Sequence, residues 1–140
     1  MALDRSTGER RHMTASHLAQ PRELSPQPAQ ARDQVRALLR EIDWAGDPDE
    51  VVLAVHEALV NAQHHGGAVL RAEMAVEGPS LAIRVWDEGP GFDLDTHMTR
   101  TPEPLSERGR GLWLIGRMTS TCQVEHDADG AVLVMRFDRS

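Results

Sequence analysis

The chain has 140 residues, 40% of them hydrophobic, and a formal net charge of -7 at pH 7. That is enough for one globular domain with a real core. The acidic balance argues against direct nucleic-acid binding and against docking on an anionic membrane. No apolar run reaches membrane-spanning length and no signal-peptide core follows Met1, so the expected compartment is the cytoplasm. Cys122 is the single cysteine, which excludes an internal disulfide and disfavours a cysteine-based zinc site. A small buried thiol is its simplest reading.

Residues 1–15 are polar, carry Arg5, Arg10 and Arg11, and offer few apolar anchors, which predicts a tail before a domain spanning 16–140. His17 to Leu24 reads as a short edge strand interrupted by Pro21. Ala29 to Ile42 reads as a helix, because Val35, Leu38, Leu39 and Ile42 form one apolar stripe. Gly46 is read as the end of that unit. The next helix is the best marked. Asp47 is a natural N-cap, Pro48 suits the first helical position, and Glu50 completes a capping-box pattern. Gly66-Gly67 supply its stop. Apolar residues surround most of this helix, so it is expected to be largely buried.

The period then switches to two. Leu70, Ala72, Met74 and Val76 alternate with other residues, and so do Leu81, Ile83 and Val85 after a turn at 77–80. This predicts an antiparallel hairpin. Phe92 to Arg108 lacks periodicity and contains Pro102 and Pro104; a loop of that length is either disordered or functional. Leu112 to Thr119 reads as a short helix. Gln123 to His126 and Ala131 to Phe137 read as a second hairpin around Asp129-Gly130.

Three patches carry chemistry. Glu57 and Asn61 are four residues apart on the buried helix, hence one turn apart on one face. Alone, Glu57 reads as a solvent-facing or salt-bridged residue. Paired with Asn61 it can line a cleft, as a carboxylate that takes a proton beside an amide oxygen suited to magnesium. His64 and His65 point about 100° apart on a helix and make a poor chelate. Asp87 closes a strand ahead of Gly89 and Gly91. That is either a simple turn or a carboxylate acceptor for an exocyclic amino group, with glycines letting a flat base approach the backbone. Gly109-Arg110-Gly111 at a helix start suits an anion. It is neither a Walker A loop nor a dinucleotide fingerprint.

The ordered set Glu57-x-x-x-Asn61, Asp87-x-Gly89-x-Gly91 and Gly109-x-Gly111-Leu112 resembles the N, G1 and G2 boxes of the GHKL ATPases. That superfamily includes DNA gyrase B, the heat-shock chaperone ninety, MutL and the catalytic domains of histidine kinases. The Asn61 to Gly66 run and the Gly-Arg-Gly-Leu-Trp-Leu-Ile run are most similar to stand-alone anti-sigma-factor serine/threonine kinases. Gln63 departs from the aliphatic residue these kinases often carry.

The resemblance implies an α+β Bergerat fold: a two-layer sandwich with a mixed, mostly antiparallel sheet and helices on one face. It implies ATP and Mg²⁺ as cofactors. Glu57 would be the catalytic base and Asn61 the magnesium ligand. Asp87 would accept from the adenine amino group, with Gly89 and Gly91 shaping the base pocket. His65, Arg108, Gly109, Arg110, Gly111 and Leu112 would complete the nucleotide site, with Phe92 to Arg108 as its lid. It further implies a sigma factor and an anti-sigma-factor antagonist as partners, and it is compatible with a homodimer. The rival expectation is a nucleotide-binding interaction module with little phosphotransfer.

Overall fold

The structure, a computed structural model, describes residues 20–65, 67–89, 107–128 and 130–138. Eight elements follow in chain order: β1 (Arg22–Leu24), α1 (Pro28–Glu41), α2 (Pro48–His65), β2 (Val69–Glu77), β3 (Ser80–Asp87), α3 (Glu107–Met118), β4 (Thr121–Asp127) and β5 (Gly130–Asp138). The strands form one sheet in the order β1-β2-β3-β5-β4. Every pairing among them is antiparallel, so the described sheet contains no parallel member. The three helices cover one face, which makes the α+β two-layer sandwich.

Alternation along the strands builds that face. Met74, Leu81, Ile83, Val85, Met135 and Phe137 point to the helices. Val35, Leu39, Val55, Leu59, Leu112 and Ile115 meet them from the helix side in one continuous core. On the opposite face Trp86, Val132 and Val134 form a smaller apolar cluster. There Glu77 reaches two arginines, Arg84 at 2.7 Å and Arg136 at 3.3 Å, in an ion-pair trio across three strands.

Local chemistry sets the element ends. Asp47 Oδ1 accepts the Asp49 N–H at 2.9 Å, so the expected cap starts α2. Gly67, with φ 88°, follows α2 as a stop; Gly66 lies outside the described residues. The β2–β3 hairpin closes through Gly78-Pro79, with Glu77 opposite Ser80 and Gly78 at φ 62°. A register shift between Val69 and Arg71 leaves Leu70 outside the ladder and 45% exposed.

Four boundaries differ from the sequence expectation. β1 keeps only Arg22–Leu24 among the described residues, starting directly after Pro21, which cannot donate to the ladder. α1 stops at Glu41 rather than being ended by Gly46. Its end is a Schellman-type turn in which the Trp44 N–H reaches Leu39 O at 3.0 Å and the Asp43 N–H reaches Arg40 O at 3.2 Å. Asp43 takes the left-handed position, φ 53°, that glycine usually fills. The second hairpin turns about Ala128 and 129, because Asp127 pairs with Gly130, which therefore opens β5. Finally, α3 begins at Glu107, five residues before the expected Leu112, because tertiary packing extends the helix through a glycine-rich stretch of poor propensity.

Candidate functional site

Three elements converge on the site. α2 packs on β3 and, along another side, against α3. Glu57 and Asn61 lie on α2, Asp87 ends β3, and Gly109 to Leu112 lie in the first half of α3. Two of the three patches singled out in the sequence therefore meet across the α2–α3 pair, and the third ends the strand on which α2 packs.

Asn61 is 8% exposed, and its Oδ1 is buried without a hydrogen-bond partner among the described residues. A buried carbonyl oxygen left unpaired costs about 1–3 kcal/mol, which a ligand can recover. A neutral, hard oxygen is a suitable donor for magnesium, which needs few protein ligands when substrate phosphates and water complete its shell. Asn61 thus fits the metal role. The neighbouring His56 also buries an unpartnered ring nitrogen, Nδ1, a feature the sequence did not mark.

Glu57 is half-buried. Its Oε2 stands against Gly111 of α3: a Cβ built on that glycine would lie 3.0 Å from the carboxylate oxygen. The base candidate and the glycine patch therefore touch, although the chain separates them by more than fifty residues.

Asp87 is also 8% exposed. It follows Val85 and Trp86 in the strand alternation, so its side chain falls on the helix-covered side of the sheet. Its Oδ1 accepts the Gly89 N–H at 2.7 Å, a local turn that orients the carboxylate. The neighbouring Glu88 N–H bonds Ala68 O at 3.3 Å. From β5, a side chain on Gly130 would collide with the Asp87 carbonyl oxygen, and φ there is 143°. Gly130 is thus a supporting residue of the site. The sequence offered it only as a turn glycine.

The remaining candidates divide. Leu112 is 0% exposed in the helix–sheet core, so its side chain packs and does not face a ligand. Helix α3 starts at Glu107, so Gly109, Arg110 and Gly111 sit inside it and not in a loop ahead of it. The expected lid also loses its last two residues, Glu107 and Arg108, to α3. Residues 92–106 and Gly91 lie outside the described residues, as do the side chains of His65, Arg108 and Arg110. His64 is exposed at the end of α2. Gln63, the departure from the kinase pattern, donates from Nε2 to Pro26 O at 2.9 Å and ties α2 to the start of α1. Cys122 is partly buried against the helix–sheet core, and burial pushes its thiol up to about 12, which suits a packing group and not a nucleophile.

Helices on one face of an antiparallel sheet, a carboxylate–carboxamide pair on the central helix and a buried aspartate at an adjacent strand end define an ATP-binding class of α+β sandwich. The chain belongs to the histidine kinase-like ATPase domain family, whose profile matches residues 12–137. No curated protein is significantly similar to it. Family membership makes this an ATP-binding domain of the GHKL type. Among the described residues, no helix is long and apolar enough to cross a membrane.

Proposed function

We propose that this domain is an ATP-dependent protein serine/threonine kinase that acts as an anti-sigma factor in a partner-switching system. Its partners on this reading are a sigma factor and an antagonist protein whose hydroxyl accepts the phosphoryl group. The reading rests on one observation above the others: Glu57 is half-buried on the same helical face as Asn61 and beside the first turns of α3. An ATP-binding module without transfer needs no carboxylate in that place.

On this reading the chain's residues divide the work. Asn61 Oδ1 holds magnesium, and Asp87 receives the adenine amino group while Gly89 keeps its carboxylate oriented. When bound, the metal neutralises charge on the phosphates. Glu57 accepts the proton of the incoming hydroxyl as the hydroxyl oxygen bonds the γ-phosphorus. The bond between that phosphorus and the β–γ bridging oxygen breaks, and ADP leaves with the electron pair.

Glu57→Gln keeps the shape and removes the basic carboxylate. Proton abstraction typically contributes about 10²- to 10⁴-fold. The expected result is near-normal ATP affinity with transfer to the antagonist reduced at least about a hundredfold. Transfer at the wild-type rate refutes the base role. Wild-type protein that binds ATP and an antagonist but transfers nothing identifies a binding module.

A further inference from the structure

Helix α3 places glycine where a helix is weakened by it. Its twelve residues, Glu107–Met118, include Gly109, Gly111 and Gly116, and glycine in a helix interior is unfavourable relative to alanine. At Gly111 the usual reasons for glycine are missing. It is not among the positive-φ residues, so its backbone suits any L-residue. It is the fifth residue of the helix, beyond the four whose N–H groups a helix leaves unpaired. Its N–H is therefore committed within the helix and is a poor candidate for a phosphate contact.

Space supplies the missing reason. An added Cβ would stand 3.0 Å from Glu57 Oε2, closer than the range of about 3.3–3.6 Å at which carbon and oxygen ordinarily meet. Gly111 is buried, so the methyl group has no solvent to turn into. The carboxylate must yield instead.

We propose that Gly111 is a positioning residue for Glu57, its missing side chain forming the seat in which the Glu57 carboxylate stands against α3. This rests on the reading of Glu57 as the general base. A seat of this kind couples the two helices: α3 fixes the direction of a carboxylate carried by α2. It also assigns Gly111 a different task from the phosphate contact that the motif resemblance implies.

The test separates these roles. Gly111→Ala in the full chain is expected to bind Mg-ATP within about threefold of wild type and to lose at least about tenfold in kcat for transfer, since small misplacements of a reacting group are costly. Weakened Mg-ATP binding with an unchanged kcat overturns the proposal and returns Gly111 to the phosphates.

A second measurement does not depend on transfer. Thermal unfolding of wild type, G111A, E57A and the double variant forms a cycle. With Glu57 present, the methyl group meets the carboxylate. With Glu57→Ala the space opens, and alanine's helix preference is realised. The expected result is that G111A raises the unfolding midpoint clearly more in the E57A background than in wild type. Equal shifts in both backgrounds overturn the shared seat. Unequal shifts in a wild-type protein that transfers no phosphate overturn the kinase reading and leave the seat standing.

Discussion

Asn61 and Glu57 lie one turn apart, yet their surroundings give them different consequences. Asn61 buries an oxygen with no partner among the described residues, so the protein bears a desolvation cost at rest. If that oxygen is a magnesium ligand, Asn61→Ala should weaken Mg-ATP binding about tenfold or more, while metal-free ATP binding changes little. Calorimetry with magnesium and with a chelator checks this; equal losses in both conditions would assign Asn61 to another part of the nucleotide. Glu57 is only half-buried, and its constraint comes from Gly111 across the helix pair. Asp87 is fixed differently again, by its own turn to Gly89 and by β5, where Gly130 leaves room for its carbonyl. Glu57 and Asp87 thus depend on a partner from a distant stretch of chain or on a tight local turn, whereas the Asn61 oxygen is left to a ligand.

The helices show how much of an element its ends decide. α2 begins with a side-chain cap, as Asp47 and Pro48 foretell. α1 has no side-chain cap at its N-terminal Gln27, and Ser25 organises the approach instead, its Oγ accepting the Gln27 N–H at 3.1 Å. The far end of α1 carries a testable strain. Asp43 holds φ 53° at a position that favours glycine, and a non-glycine residue in that region costs of order 1 kcal/mol. Asp43 is exposed, and its side chain makes no hydrogen bond or ion pair among the described residues. Asp43→Gly should therefore raise the unfolding midpoint by a few degrees without altering ATP affinity. A lower midpoint would mean that the aspartate side chain supports the turn. The opposite lesson comes from α3, which runs through two glycines that local propensity reads as loop. Its packing through Leu112 and Ile115, both fully buried, outweighs that weakness.

Across the whole fold the sheet has two differently stabilised faces. The helix-covered face is held by apolar burial. The other face is bound partly by the Glu77, Arg84 and Arg136 trio, which joins β2, β3 and β5. The Arg84 hydrogen bond holds the Glu77 carboxyl below its ordinary 4.5, against the opposing effect of partial burial, with Arg136 adding to the lowering. A depressed folded pKa contributes stability above the unfolded value, and that contribution is lost as pH falls through the folded one. The trio should therefore support the fold at neutral pH and weaken in acid below about 4.5. Glu77 is over a third exposed, so solvent screening keeps the effect modest. Comparing wild type with Glu77→Gln across pH 7 to 3 checks it: the gap in unfolding midpoint should be largest near neutrality and shrink in acid. A gap independent of pH would mean that the pair contributes through packing alone.

The amino-acid order by itself determined the helix stripe of α1, the capped start of α2, the two hairpins and the three motif patches, because periodicity and turn chemistry are local properties. It also located Glu57 and Asn61 on one helical face, since their spacing matches the helical repeat. Three limits escaped the local signals: α3 extends back to Glu107, α1 stops at Glu41 in a turn that a non-glycine residue closes, and the last hairpin turns one residue early. The glycines of the G2-like patch read as an anion site at a helix start because sequence shows a missing side chain without showing what fills the space. Only the packing of α2 on α3 reveals that Glu57 stands there. Likewise Gly130 reads as a turn residue until the sheet sets it against Asp87. Contacts between residues far apart in the chain leave no periodic trace in it, and the tertiary structure alone decides them.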